Sequence, residues 1–371
     1  PTHLGRVLAG MSISKRAGAA SGIRLALLNG SYQSLTNLYY LAVRGIYIVA
    51  FARLLGVEQY GHYVYSQTWY VMALAIATWG MSELAIAEYS REKPADGAQL
   101  LASGFSLRLI LSAIMSIAII VAALLFEPNS NLRLLIIIYA QGVIVRGACG
   151  WFSAMFIARE SSQYWLYLSI PFLTLEVLLA IYLALSGYSL VSIAVLQCTL
   201  WWLMLFTAWY VYWRAFGPFV PGLTSRYVRF FISNGPTLAL SAFILTCMGS
   251  GLLIACRYFL GSGQQLGEAA FVVQILVVLG QMIKVASNTA LPQLNKLVSN
   301  RHQRQIFYVS TVWQQSIYLG GVAFILCYLA IPQLVVSLAG DELKGAAGLF
   351  ASICWVLIPL LIIYGLRLML I

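Results

Sequence analysis

Long apolar runs separated by short polar connections make up most of this chain. Many of the runs exceed eighteen residues, which is enough for a helix to cross a hydrocarbon layer about 30 Å thick. They are continuous and lack the alternation, in segments of about ten residues, that a transmembrane barrel requires, so we predict helices. The ten predicted spans are residues 25–52, 63–87, 100–126, 132–158, 164–185, 189–213, 228–255, 268–291, 305–331 and 346–371.

The composition supports a membrane protein rather than a globular one. The 371 residues are 61% hydrophobic and only 9% charged, whereas soluble domains are about a quarter charged. The sequence therefore predicts an all-α polytopic membrane protein whose main partner is the lipid bilayer. The net charge of +11 comes mostly from residues flanking the spans. No sizeable solvated domain is present to bind nucleic acid, so we expect no nucleic-acid partner.

The distribution of lysine and arginine predicts the orientation. The odd-numbered connections carry Arg53, Arg133, Arg257 and Lys344, whereas most other basic residues lie in the N-terminal tail and the even-numbered connections. Positively charged flanks stay on the cytoplasmic side, so we predict a cytoplasmic N-terminus. The basic residues 1–24 lack the ordered regions of a cleavable signal peptide and are predicted to be a cytoplasmic tail.

A short motif with an arginine, two glycines and a later glutamine occurs twice. The two copies are Arg53, Gly56, Gly61 and Gln67, and then Arg257, Gly261, Gly267 and Gln274. Each copy follows a helix of similar length, and six spans separate them, so both have the same orientation in the membrane. This pattern predicts a parallel tandem repeat of one helical module, an arrangement found among transporters.

The phrase ARLLGVEQYG at 52–61, GMSE at 80–83 and FFISNGP at 230–236 resemble the polysaccharide transporter or O-antigen flippase branch of the multidrug/oligosaccharidyl-lipid/polysaccharide exporter (MOP) superfamily. The resemblance implies two six-helix lobes around a central cavity, in the bacterial inner membrane. It departs at Cys256, where an acidic residue often precedes the arginine. Since four second-lobe spans are predicted, we expect this lobe to lack about two helices.

The resemblance and the spans together predict four regions. They are a basic tail at 1–24, a six-helix lobe at 25–213, a cytoplasmic linker at 214–227 and a second lobe at 228–371. The six cysteines show no CxxC spacing and no clustered histidines, so we expect neither a metal site nor disulfides.

Ionisable residues inside predicted spans are the candidate functional groups. These residues are Arg44, Glu83, Arg146, Glu176, Lys284 and Arg367. Each would cost about 2.5–3.5 kcal/mol if it faced lipid, so such groups normally face protein or a water-filled cavity. Helical spacing places Asn37, Tyr40, Arg44 and Tyr47 on one stripe of the first span. A second stripe contains Gln274, Gln281, Lys284 and Asn288, and a third contains Tyr139, Arg146 and Ser153.

We predict a cationic cavity that binds an anionic head group. Its candidate substrate-binding residues are Arg44, Arg146, Lys284, Arg367, Asn37, Tyr40, Tyr47 and Gln281. In the alternative interpretation, Arg44 or Arg146 forms a structural ion pair with Glu83 or Glu176. These two glutamates are also candidates for H⁺ or Na⁺ coupling, because an intramembrane carboxylate can bind a cation. No other cofactor is expected.

Three functional classes follow from these features. A flippase would move polyprenyl-pyrophosphate-linked oligosaccharide, with glycosyltransferases and a polymerase as partners in synthesis. A multidrug exporter of the same superfamily would bind cations, but four of the six intramembrane charges are basic. A glycosyltransferase or polymerase would need a catalytic constellation, and no DxD, HExxH, GxSxG or Walker motif occurs. The sequence therefore favours the flippase over an enzyme.

Overall fold

A computed structural model of the chain describes residues 19–92, 94–261, 263–298 and 344–359, together with scattered positions between 318 and 333. Side chains in the continuous ranges are described for 28–92, 96–261, 263–282 and 345–359. This part of the chain is helical and contains no β-strand. The predicted all-α class is confirmed.

The helices follow one another with short connections. They are α1 (Ala19–Leu55), α2 (Val57–Ala77), α3 (Met81–Tyr89), α4 (Pro94–Phe126), α5 (Ser130–Ala158), α6 (Ser162–Leu185), α7 (Leu190–Phe216), α8 (Ser225–Thr246), α9 (Leu252–Leu260), α10 (Gln264–Val298) and α11 (Lys344–Ile353). A π-helical segment, Cys247–Gly251, joins α8 to α9, and a 3₁₀ turn, Cys354–Val356, follows α11.

Eight helical stretches of the described chain are long and apolar enough to cross a membrane. They correspond to the first eight predicted spans, with α2 and α3 forming one span and α8 to α9 forming another. The predicted span at 305–331 lies largely outside the described residues. The last one begins in a shorter apolar helix, Gly345–Pro359, and continues outside them. Helix α1 begins at Ala19, within the segment 1–24 that was predicted as a tail.

Local sequence sets where several helices begin. Asn129 precedes α5, and its side-chain oxygen accepts hydrogen bonds from the backbone amides of Asn131 and Leu132 at 3.0 and 3.3 Å. Ser189 caps α7 in the same way through the amide of Ser192. Such caps satisfy amides that have no partner within the first helical turn.

The two copies of the repeated motif adopt the same turn. Gly56 ends α1 and Gly261 ends α9, and both have φ of 75°. This left-handed conformation is readily available only to glycine. The shared turn fits the predicted parallel repeat. We refer to α1–α7 as the first lobe and to the helices from α8 onward as the second lobe.

The repeated glycines also bring the lobes together. A Cβ added to Gly61 in α2 would lie 2.8 Å from the Cα of Gly267 in α10, and a Cβ on Gly267 would collide with the carbonyl oxygen of Val57. Nearby, Arg257 Nη2 lies 3.0 Å from Glu127 Oε1. We call these four residues, Gly61, Glu127, Arg257 and Gly267, the lobe junction. Small residues allow membrane helices to approach this closely.

Candidate functional site

A cavity of about 260 Å³ lies beside the lobe junction, in the middle of the bundle. Helices α1, α2, α5, α6 and α7 of the first lobe form most of its wall. The second lobe contributes Ser250, from the π-helical segment, and Gln274, from α10. The π-helical turn thus lies at the cavity, and such turns often occur at functional sites.

Arg44 of α1 reaches across the cavity to the second lobe. Its Nη2 donates to Gln274 Oε1 at 2.8 Å, and its Nη1 donates to the Tyr40 hydroxyl at 3.1 Å. Both partners are neutral, so the positive charge of Arg44 is not neutralised by either. The hydrogen bonds instead fix the direction of the guanidinium and connect α1 to α10.

Arg146 of α5 has a different environment. Its guanidinium carbon lies 5.2 Å from the centre of the Trp201 ring, which is a cation–π contact. Among the described residues, its guanidinium makes no hydrogen bond and no ion pair. The Arg146 side chain lines the cavity, so its N–H donors are available to a ligand there.

Glu176 of α6 lines the same cavity but is held by neutral donors. Trp201 Nε1 donates to Glu176 Oε2 at 3.0 Å, and Gln197 Nε2 donates to Glu176 Oε1 at 3.1 Å. In the part of the chain that the structure describes, Glu176 forms no ion pair with Arg44 or Arg146. The alternative of structural ion pairs through Glu176 is therefore not what the geometry shows.

A hydrogen-bonded cluster of tyrosine and glutamine side chains forms another part of the wall. Gln197 is its centre: it donates to the Tyr47 hydroxyl at 2.8 Å and accepts from the Tyr139 hydroxyl at 2.6 Å. The Tyr47 and Tyr63 hydroxyls lie 2.7 Å apart, and Gln67 Nε2 donates to Tyr63 at 2.7 Å. This wall presents hydroxyl and amide groups rather than charges.

The structure brings several predicted site residues together and separates others. Tyr40, Arg44, Tyr47, Arg146 and Glu176 all line the cavity. Glu83 is exposed on α3 and does not line the cavity, and Gln281 lies in α10 outside its lining. The side chain of Lys284 and the whole of Arg367 lie outside the described residues.

Asn37 requires a correction, because it lines a separate pocket of about 70 Å³ together with Gln33 and Ser162. The physical reason is distance along the helix. Seven residues separate Asn37 from Arg44, which is about 10 Å of α-helix, so a shared stripe does not guarantee a shared cavity.

Other residues that line the cavity were not predicted as site residues from the sequence. Tyr60, Tyr63, Gln67 and Tyr70 of α2 line the cavity with the i, i+3, i+7, i+10 spacing already noted in α1. That spacing was a usable signal. Gln197 and Trp201 of α7 lie one turn apart, but tryptophan is frequent throughout this chain and had no distinguishing pattern.

A helical membrane fold with a charged cavity, walled mostly by the first lobe and completed by Ser250 and Gln274 of the second, is typical of a membrane transporter. Residues 26–298 match the model of the family described as polysaccharide biosynthesis protein. The chain therefore belongs to the polysaccharide biosynthesis protein family, which confirms the resemblance noted in the sequence.

Two solved structures are similar to this chain. The first is an inward-facing multidrug resistance MATE family transporter of the MOP superfamily, at 13% identity and a TM-score of 0.57, covering 91% of this chain and 86% of that one. The second is a MOP superfamily transporter from Pyrococcus furiosus, at 12% identity and a TM-score of 0.46, covering 94% and 83%. A comparison with curated proteins found no match. The first likeness shows that this chain shares the fold of that transporter.

Proposed function

We propose that this protein is a flippase that moves a polyprenyl-pyrophosphate-linked oligosaccharide across the bacterial inner membrane by alternating access. The observation that carries the proposal is the Arg146 guanidinium, which faces the central cavity without a hydrogen-bond partner or counter-ion among the described residues. A buried charge without a partner is costly, and an anionic ligand would compensate it.

The charge of the cavity wall favours an anion. Arg44 and Arg146 contribute two positive charges, and Glu176 contributes one negative charge when it is ionised. Guanidinium groups match phosphate oxygens in geometry and remain charged in proteins. A pyrophosphate near Arg146, with Arg44 lining the same cavity, fits this arrangement. Lys284 and Arg367 remain predicted members of the site.

The uncharged wall suits a sugar. Tyrosine hydroxyls and glutamine amides offer both donors and acceptors, which is what sugar hydroxyls require. The cavity of about 260 Å³ is smaller than the roughly 300–1,000 Å³ of pockets for drug-sized ligands. We infer that it holds the pyrophosphate and the adjoining sugar, while the rest of the glycan enters only when the lobes separate.

Alternating access gives the lobe junction a role. The junction joins the lobes at the end of the bundle where α1 and α9 end, and the charge distribution predicts that this end faces away from the cytoplasm. Translocation then requires the Glu127–Arg257 pair to separate and no covalent bond to break. Glycosyltransferases that build the lipid-linked glycan and a polymerase that uses it would be the functional partners.

A multidrug exporter is the second candidate, and the Glu176 carboxylate in the cavity is the observation in its favour. Both of its oxygens, however, already accept hydrogen bonds from Trp201 and Gln197. A cationic drug would also meet two arginines. Glu176 remains a candidate for H⁺ or Na⁺ coupling in either case.

The test is translocation of a fluorescent polyprenyl-pyrophosphate oligosaccharide in proteoliposomes that contain the full chain. We expect Arg146→Ala to slow translocation by about ten- to a hundredfold, because hydrogen bonds to a charged group contribute about 1.5–3 kcal/mol. Asn37→Ala, in the separate small pocket, is the matched control and should transport like the unchanged protein. Equal rates for the two variants would contradict the proposal, and export of cationic dyes instead would favour the multidrug alternative.

A further inference from the structure

Arg146 and Glu176 line one cavity with opposite charges, yet they form no ion pair within the described part of the chain. Opposite charges attract strongly at membrane depth, because the effective dielectric constant is lower there than in water. The contacts that each group makes instead of this pair are therefore informative.

Trp201 contacts both groups. Its indole N–H donates to Glu176 Oε2 at 3.0 Å, while its ring faces the Arg146 guanidinium at 5.2 Å. Gln197, one turn earlier in α7, donates to the other carboxylate oxygen at 3.1 Å. The carboxylate is thus satisfied by two neutral donors, and the arginine rests on an aromatic face.

The position of Trp201 is itself well defined. Its side chain is buried, with its ring centre 5.3 Å from that of Tyr70. On another side it lies against α5 at Gly142, where an added Cβ would come within 2.8 Å of Trp201 Cζ3. A ring confined in this way cannot easily turn its N–H away from Glu176.

We propose that Trp201 is a positioning residue that prevents Arg146 from pairing with Glu176 and so keeps the Arg146 guanidinium free for a pyrophosphate group. This inference rests on the proposed function, because it concerns the same anion site. It assigns Trp201 an electrostatic role in addition to packing. Loss of the indole N–H exposes Glu176 Oε2, Arg146 pairs with it, and the ligand then has to displace the carboxylate.

The experiment measures binding of inorganic pyrophosphate to the full chain in nanodiscs by calorimetry. Binding is measured rather than transport, so that a role of Glu176 in ion coupling does not enter the result. Trp201→Phe keeps an aromatic ring but removes the N–H, and we expect its affinity to fall about tenfold. Glu176→Gln removes the competing charge, and we expect affinity to rise about threefold.

The double variant Trp201→Phe with Glu176→Gln decides the matter. Without a carboxylate to capture Arg146, we expect the double variant to bind at least as tightly as the unchanged protein. If Trp201 only filled space, the double variant would stay as weak as Trp201→Phe alone, and that result would overturn the inference. Unchanged affinity in Trp201→Phe would also overturn it.

Arg146→Ala, measured in parallel, separates this inference from the proposed function. If pyrophosphate still binds Arg146→Ala with unchanged affinity, Arg146 does not form the anion site, and the proposed function loses its main support. Binding that is lost in Arg146→Ala but kept in Trp201→Phe would overturn only the role of Trp201. Trp201→Leu, whose side chain has no hydrogen-bond donor, replaces the phenylalanine variant if gel filtration shows that the latter does not fold, and the same outcomes apply.

Discussion

The lobe junction and the cavity both contain charged side chains between helices, but in the part of the chain that the structure describes these charges are paired at the junction and unpaired in the cavity. At the junction, Arg257 and Glu127 pair directly at 3.0 Å, and the Tyr65 hydroxyl donates to the other carboxylate oxygen at 2.9 Å. In the cavity, Glu176 accepts from two neutral donors, Arg146 lies over the Trp201 ring, and the two form no ion pair within the described residues. A charge that is neutralised internally stabilises one arrangement of the lobes, whereas a charge left without a partner is available to a ligand.

The largest expected effect is at the junction. Glu127→Ala leaves Arg257 buried without its counter-ion, and breaking such a pair from one side typically costs about 3–5 kcal/mol. The measurement is the free energy of unfolding in detergent.

The matched control is Glu92→Ala, which also removes the carboxylate of an ion pair. Arg226 Nη2 lies 2.7 Å from Glu92 Oε1, and the arginine that is left behind is 65% exposed. Exposed pairs contribute about 0–1 kcal/mol, so this variant should unfold almost like the unchanged protein. Equal losses of unfolding free energy in the two variants would show that the buried pair at the junction is no more stabilising than the exposed pair.

A smaller loss is expected where the helices of the junction touch. Gly267→Ala places a methyl group against the carbonyl oxygen of Val57, so α2 and α10 have to move apart. Overpacking of this kind typically costs about 1–3 kcal/mol. Cysteines introduced on α2 and α10 should form a disulfide more slowly in this variant than in the unchanged protein. Gly263→Ala, which has open space around it, is the control. Identical crosslinking rates in both variants would argue against close contact at Gly267.

The smallest effect on stability is expected in the cavity. Arg146→Met keeps much of the side-chain length and removes a charge that has no counter-ion, so we expect the free energy of unfolding to change by less than about 1 kcal/mol or to increase. The same unfolding assay in detergent gives this value. A loss as large as that of Glu127→Ala would mean that Arg146 is a structural charge, and the contrast between the two regions would disappear.

Much of the fold could be read from the sequence because a bilayer constrains it strongly. Continuous apolar runs at membrane depth have to be helices. The repeated motif indicated two lobes, and its glycines Gly56 and Gly261 share a φ of 75° in the structure. The charged members of the site, Arg44, Arg146 and Glu176, were also found this way, since an ionisable residue at membrane depth needs a reason to be there.

The composition of the cavity wall was less predictable. Asn37 shares a stripe with Arg44 but lies in another pocket, because periodicity specifies the face of a helix and not the depth at which a cavity ends. Gln197 was missed, although it is the centre of the hydrogen-bonded cluster. Its importance comes from residues that are distant in sequence, such as Tyr47 and Tyr139.

By itself, the sequence determined that this chain is an α-helical membrane protein with repeated lobes and cationic groups at membrane depth, because hydrophobic length and charge cost depend only on residue type and order. Only the tertiary structure decided which charges are paired. Arg257 lies against Glu127, across 130 positions of the chain, while Arg146 and Glu176 each contact Trp201 and do not pair with each other among the described residues. Pairing depends on distances of a few ångströms between helices, and these arise from packing rather than from the order of residues along the chain.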